Sequence, residues 1–431
     1  MLYGFGKSDV EPMKILWLNS GFLHPTTRGG QIRTLQMLRR LRTRHEIHYL
    51  ALHDGRPEAL EHSSEYCSKA WPVPFVLSGR ESPRFWLETA FGVFSLLPVV
   101  IARKRSRAAR CLIEQLLRKE HFDLVVCDFL TPAINLPTAQ PFVLFEHNVE
   151  TTIWRRYAEV AKDPVQRLFF KIQAERLLQF ERTVCQRATR VIAVSEADAS
   201  SLSELCGISN VSPIPTGVDA TYFARPPAPA QTDDSGLVFV GSMDWIPNIE
   251  GILWFTREVL PLVRRQIPRC TLTIAGSRPT SSIRKLATDY PFVRVTGTVD
   301  DIRPYLWEGG VSIVPVRIGS GTRLKIFESM AAEIPVVSTT VGARGLDVDS
   351  PDNIRIADTP EAFATACLHL LLDGAERARQ VDAGYQLVRE RYTWDSVTGR
   401  FEGILKECRT RPIRMCSSGD RALCLLAGDQ A

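Results

Sequence analysis

The chain has 431 residues, 45% of them hydrophobic and 23% charged, the makeup of an ordered protein long enough for two domains, which excludes a single small binding module. Its 53 basic and 48 acidic residues leave a formal charge of +5, an excess compatible with phosphorylated ligands or an anionic surface and requiring neither. With no zinc-finger spacing, RNP-like aromatic motif or long basic arm, nucleic acid is not an expected partner.

Residues 1–12 read as an extension ahead of a first strand, MKILWLN, and carry no basic-then-apolar secretory pattern. Met13, where the strand begins, is a candidate start alongside Met1. The loop SGFLHPTTRGG brings Gly29 and Gly30 up to a helical segment in which Ile32, Leu35, Leu38 and Leu41 fall at helical spacing. HEIHYLAL is the next strand. The tract 85–102, FWLETAFGVFSLLPVVIA, is broken by Glu88 and Pro98 and is shorter than the roughly 20 residues a spanning helix needs. With its flank RKRSRAAR it has two readings: helices packed on the first domain with a solvated basic face, or a surface-lying helix meeting anionic headgroups. Then come DLVVC, PFVLFEHN, a long helical stretch to residue 187, and the strand RVIAVS ending at Ser195. Strands alternating with helices predict a parallel sheet covered on both faces.

Residues 217–236 read as a linker in which proline, alanine and polar residues replace any apolar period. The alternation restarts at LVFVG and continues through IEGILWFTREVLPLVRR, TLTIAG, FVRVTG, VSIVPV, TRLKIFESMAAE and PVVST. The expected domains are 13–216 and 237–390, each α/β, with ligands beyond the carboxyl ends of the strands. Ten scattered cysteines at neither metal nor redox spacing fit a reduced, cytoplasmic setting.

The segment from Val314, VPVRIGSGTRLKIFESMAAE, is the most informative. A strand gives way to a turn with Gly319, Ser320 and Gly321, and a helix is expected from Thr322, its free amides suited to phosphate. Arg323 and Lys325 place positive charge in that first turn, against the helix dipole unless an anion binds. A diphosphate is therefore expected, with Glu328 further along the helix accepting the two hydroxyls of a ribose; a solvated helix face is the bland alternative for all three.

This segment resembles the sugar-donor motif of glycosyltransferase family 4, retaining enzymes of GT-B fold, in the subset that carries GSGTRLK ahead of the helix. The resemblance implies two Rossmann-like domains facing across a cleft, the first on the acceptor side and the second binding the donor nucleotide. It also implies a helix over 391–411 that crosses back to the first domain, leaving 412–431 as a tail. The donor site it implies comprises Gly241, Ser320, Gly321, Thr322, Arg323, Leu324, Lys325 and Glu328. His147, Arg323 and Lys325 become the catalytic candidates, and Gly29, Gly30, Glu150 and Ser195 the acceptor or cleft candidates, with Arg155 and Arg156 beside Glu150. Two departures stand out. Ser320 occupies the place of the family's first glutamate, and the run VGSMDWIPNIEG lacks the Arg and Lys that many members use for the diphosphate, so that charge falls to Arg323 and Lys325. For Ser195, a helix cap is by itself a sufficient explanation.

In activity, the resemblance implies a retaining, metal-independent hexosyltransferase without a cofactor. Such an enzyme moves sugar from a UDP- or GDP-sugar to a saccharide or lipid-linked acceptor, in polysaccharide or glycolipid assembly, with peripheral membrane contact on the cytoplasmic side as the matching localisation. The rivals are a nucleotide-sugar binder without turnover, suggested by Ser320, and a sugar-nucleotide epimerase of the same fold. A dinucleotide oxidoreductase is disfavoured because neither glycine loop reads G-x-G-x-x-G.

Overall fold

A computed structural model describes residues 11–26, 29–76, 95–161, 163–226, 233–318, 323–348 and 351–410. The chain divides into two compact units: unit 1 runs to Pro215 and takes up the chain again from Thr398, and unit 2 is Thr216–Val397. Among the described residues no helix is long and apolar enough to cross a membrane.

Unit 1 is built on seven parallel strands: β1 (Lys14–Asn19), β2 (Glu46–His53), β3 (Lys69–Pro74), β4 (Leu124–Asp128), β5 (Val143–Phe145), β6 (Arg190–Ala193) and β7 (Val211–Pro213). Their order is β3-β2-β1-β4-β5-β6-β7, so the winding reverses between β1 and β4, the place where such sheets bind ligands. The central strands are apolar on both faces because helices cover both; Leu16, Trp17 and Leu18 are all buried. The edge strand β3, KAWPVP, shows no such pattern. Its two prolines cannot donate to a ladder and are tolerated at an edge.

The helices that matter for the site are α1 (Gly29–Leu41), α2 (Arg107–Lys119), α3 (Glu150–Val160), α4 (Pro164–Arg187) and α5 (Glu196–Cys206). The single helical stretch expected up to residue 187 is two helices, α3 and α4. Pro164 at the start of α4 has no amide to continue a helix, and Asp163 caps the new one by accepting the Gln166 amide at 2.8 Å. Of the apolar tract 85–102, the part up to residue 94 lies outside the described residues. Its described end is packed on the unit: Leu97, Val99 and Ile101 are buried, and the Val99 amide donates to Gln173 Oε1 at 2.8 Å.

Unit 2 repeats the plan with β8 (Asp233–Val240), β9 (Thr271–Ala275), β10 (Val293–Gly297), β11 (Gly309–Val314), β12 (Val336–Ser338) and β13 (Arg355–Ile356), in the order β10-β9-β8-β11-β12-β13. Here the reversal lies between β8 and β11. After β8 comes α6 (Ile246–Trp254), and after β11 comes α7 (Leu324–Ala331). The expected linker is partly structured: the Val218 amide donates to the Tyr392 carbonyl at 2.7 Å, and Ala220–Phe223 forms a helical turn with Phe223 buried. The last helix, α8 (Trp394–Thr410), begins in unit 2 and continues in unit 1, where Phe401 packs 5.0 Å from Phe145 and 5.9 Å from Trp17.

α7 is held on β11 by a buried polar pair. Ser329 Oγ donates to the Lys325 carbonyl at 2.8 Å, which leaves it to accept from Ser312 Oγ, also at 2.8 Å. Ser329→Ala strands the Ser312 hydroxyl away from water and should cost about 1–3 kcal/mol. The double variant Ser312→Ala/Ser329→Ala should cost less than Ser329→Ala alone, as read from chemical denaturation midpoints.

Candidate active site

In unit 2 the chain leaves β8 through Gly241 and Ser242 and enters α6. Asn248 of α6 is buried; its Nδ2 donates to the Ser242 carbonyl at 2.8 Å, and its Oδ1 accepts from Lys325 Nζ at 3.0 Å. A Cβ on Gly241 would come within 2.7 Å of that ammonium and 2.8 Å of Asn248 Nδ2, so only glycine leaves room for both. Lys325 Nζ also lies 4.1 Å from the centroid of the Phe239 ring, a favourable cation–π geometry. Burial pushes this ammonium down to about 7; Glu328 opposes the fall and Arg323 adds to it. In turn, burial raises the Glu328 carboxyl while Lys325 opposes.

α7 starts at Leu324 rather than at Thr322, so Arg323 occupies the cap position. Its guanidinium lies 4.7 Å from the Trp245 ring centroid, and the residue is buried. Arg323 and Lys325 therefore do not form a solvated basic turn: each is drawn onto an aromatic ring. Ser320, Gly321 and Thr322 lie outside the described residues. Among the described residues no group of three His, Cys, Asp or Glu side chains is placed to hold a metal ion.

In unit 1 the corresponding ends of β1, β4 and β5 meet at Asp128, which has no exposure to solvent. Asp128 Oδ2 accepts from Trp17 Nε1 at 3.0 Å, Asn19 Nδ2 at 2.7 Å and Thr34 Oγ1 at 2.8 Å, and Oδ1 meets His147 Nε2 at 2.7 Å. The His147 ring is stacked on Phe129, with centroids 3.9 Å apart and planes 13° apart, and Phe129 itself sits at a left-handed φ of 71°. Burial lowers the His147 pKa, against the pull of Asp128, so the ring is neutral near pH 7. A neutral ring that donates from Nε2 to the carboxylate leaves Nδ1 as an acceptor. Nδ1 faces Gly30, where a Cβ would stand 3.5 Å from it and 2.5 Å from Phe129 Cζ.

Gly30 and Phe129 line a 750 Å³ pocket within unit 1, together with Asn19, Gln31, Thr131 and Asn148, a volume suited to a small ligand. Gly29 is different: a Cβ there meets nothing within 4 Å, so the geometry requires only the second glycine. Ser195 is engaged as the cap of α5, accepting the Asp198 amide at 3.1 Å and donating to Asp198 Oδ2 at 2.7 Å. Glu150 opens α3, its amide donating to Glu181 Oε1 at 2.8 Å. Burial, then Glu181, pushes its carboxyl up to about 7.

A family model described as Glycosyltransferase Family 4 matches residues 27–222, and one described as Glycosyl transferases group 1 matches residues 234–373. The chain belongs to these glycosyltransferases. Its two parallel α/β units have the GT-B fold of solved relatives. Sucrose-phosphate synthase from Thermosynechococcus elongatus superposes with a TM-score of 0.64 at 18% identity, over 92% of this chain and 98% of the other. The Anabaena protein HepE, in complex with UDP-glucose, gives 0.59 at 14% identity, over 92% and 100%. In sequence, an uncharacterized 44.6 kDa protein in the cps region of Klebsiella pneumoniae is 25% identical over 178 residues, 40% of this chain. The match spans 45% of that curated relative, less than half its length.

Several residues that shape the candidate site belong to no motif in the sequence. Asp128 carries a faint signal, being a charged residue at the carboxyl end of the apolar run LVVCD. Trp245 and Asn248 follow a strand end, and nothing in their spacing marks them as partners of Arg323 and Lys325. Glu146, buried beside His147, has neither carboxyl oxygen hydrogen-bonded among the described residues. Burial, with Glu181 and Glu150 nearby, raises its pKa well above the carboxylate range. Asp128→Asn keeps the shape of the hub but turns an amide NH2 toward His147, which must then accept at Nε2 and carry its hydrogen on Nδ1. The expected result is a tautomer switch in histidine 15N NMR, a stability loss of about 1–3 kcal/mol, and transfer slowed more than about tenfold with nucleotide affinity unchanged.

Proposed function

We propose that this glycosyltransferase is a retaining, metal-independent hexosyltransferase. It takes sugar from a UDP- or GDP-sugar and passes it to a hydroxyl of a saccharide or lipid-linked acceptor in polysaccharide or glycolipid assembly. The observation that carries the proposal is the approach of two cations, Lys325 and Arg323, at the start of α7. They repel each other, their surroundings are aromatic, and the helix end beside them is itself electropositive. A bound diphosphate resolves all three conditions.

In this reading the bond between the sugar C1 and the diphosphate oxygen breaks as the acceptor oxygen bonds to C1 on the same face. The acceptor's proton passes to the departing phosphate oxygen, so neither a covalent enzyme intermediate nor a metal ion is required. The α7 amides, Lys325 and Arg323 carry the charge that develops on the leaving group, which makes preorganised electrostatics the main source of rate. Glu328 receives the ribose hydroxyls. His147 offers Nδ1 to a sugar hydroxyl, and the pocket beside Gly30 and Phe129 takes the acceptor. HepE's complex with UDP-glucose makes UDP the first nucleotide to test.

Ser320, in the place of the family's first glutamate, favours one other reading: a binder of nucleotide sugars that does not turn them over. Thermal unfolding with UDP, GDP, ADP and their sugar conjugates separates the cases. One nucleoside diphosphate at about 100 times its dissociation constant should stabilise by about 2.7 kcal/mol, and Lys325→Met should remove the effect. NMR of the product should then show the anomeric configuration of the sugar donor retained. Stabilisation without transfer to any saccharide favours the binder, inversion removes the retaining mechanism, and no stabilisation by any nucleotide removes the proposal.

A further inference from the structure

The loop that follows β9 carries a residue in a conformation its side chain disfavours. Arg278 sits at φ 53°, in the left-handed region, which glycine adopts without strain and arginine does not. Such strain persists where the surroundings hold it, and it gathers at ligand sites. The surroundings here are the β8 loop. The Gly241 amide donates to the Ala275 carbonyl at 3.0 Å and the Met243 amide to the Ser277 carbonyl at 2.8 Å. A Cβ on Gly276 would stand 1.8 Å from the Gly241 carbonyl oxygen, so the two loops meet backbone to backbone. That contact delivers the Arg278 side chain to the β8 loop.

There the guanidinium meets Asp244, Nη1 to Oδ2 at 3.0 Å, and its Nη2 lies 3.5 Å from Ser242 Oγ. Ser242 Oγ donates to Asp244 Oδ1 at 2.6 Å. This bond holds the Asp244 carboxyl below its ordinary range, with Arg278 adding to the fall and desolvation opposing it. An ion pair whose arginine is 72% exposed contributes little to stability, so the pair does not account for the strain. Electrostatics does. Asp244 is the one charged residue from Gly241 to Ile249, an ionised carboxylate three positions from the glycine against which Lys325 lies, and by itself it repels a diphosphate.

We infer that Arg278 is a third cation of the nucleotide site: Nη1 stays on Asp244 and screens it, while Nη2, beside Ser242, donates to a phosphate oxygen of the bound nucleoside diphosphate. A guanidinium carries five donors in a fixed fork, enough for both partners at once. The sheet order supports the approach. β9 flanks β8 on the side away from β11, so a diphosphate over the end of β8 meets Lys325 and Arg323 from one side and Arg278 from the other. The inference rests on the nucleotide reading of this site and adds to it a residue outside the helix motif.

The test is calorimetric titration of the full-length protein with UDP, UMP and uridine, and with the matching guanosine series, for the wild type, Arg278→Gly and Arg278→Lys. Arg278→Gly relieves the left-handed φ and should melt no lower than the wild type without ligand. It should nevertheless bind the diphosphate that the wild type prefers about tenfold more weakly. The loss should shrink for the monophosphate and vanish for the nucleoside, and Arg278→Lys should recover part of it. Unchanged diphosphate affinity in Arg278→Gly overturns the inference. An equal loss for the nucleoside also overturns it and assigns the arginine to the base. A glycine variant that melts lower and binds weakly, with no recovery in Arg278→Lys, overturns it in favour of a role in holding the loop. A wild type that binds none of these nucleotides removes the nucleotide reading itself, a result distinct from a wild type that binds no better than Arg278→Gly.

Discussion

A carboxylate removed from water must be met by hydrogen-bond donors or give up its charge, and at the end of β4 Asp128 is met by four. They come from β1, from α1 and from the residue that follows β5 by two, so one side chain fixes three strand ends and a helix at the point where the winding of the sheet reverses. The consequence for chemistry is the state of His147. Its Nε2 is committed to Asp128, its ring is stacked on Phe129, and its remaining nitrogen faces Gly30, which has no side chain. A residue that lone-histidine statistics would assign to the core is in this way made an acceptor next to a 750 Å³ pocket.

Unit 2 meets the opposite problem with different means. There the buried charge is positive, and an amide oxygen and aromatic rings lie against it. Asn248 Oδ1 accepts from Lys325, Phe239 and Trp245 offer their faces to Lys325 and Arg323, and Gly241 keeps the space clear. These contacts hold the two side chains in place. Aromatic faces attract a cation far less than an anion does, so the arrangement keeps most of its electrostatic capacity for a ligand. The Ser312–Ser329 pair beneath it sets α7 on β11 and so determines where that capacity is directed.

How much of this is legible in the sequence varies with how local each feature is. β1, β8 and β11 can be read because a doubly covered parallel strand is a short apolar run, whatever else the chain does. β3 cannot, since KAWPVP is an edge strand whose position tolerates its prolines. The break between α3 and α4 is written in Pro164 but masked by the apolar pattern that continues across it. In the site, the motif brings Arg323, Lys325 and Glu328 to attention as one helical turn. That Lys325 bends in to Asn248 depends on a residue 77 positions away, and that His147 is held depends on Asp128, 19 positions earlier, on another strand. Contacts of this kind are decided by sheet order, which a residue pattern does not state. Gly29 and Gly30 look alike as letters, and only the neighbours of each distinguish them.

Proton uptake on nucleotide binding tests most directly whether Lys325 waits as a depressed ammonium for a diphosphate. Its pKa of about 7 leaves it mostly neutral at higher pH, and a bound diphosphate must raise that value, so affinity should fall as pH rises above about 7. Calorimetric titration of UDP or GDP at about pH 8, in buffers of different ionisation enthalpy, should register uptake approaching one proton per nucleotide bound. Lys325→Arg should bind with no uptake. Binding to the wild type without uptake, or equal uptake in the arginine variant, would contradict the assignment of Lys325 as the diphosphate's counter-charge.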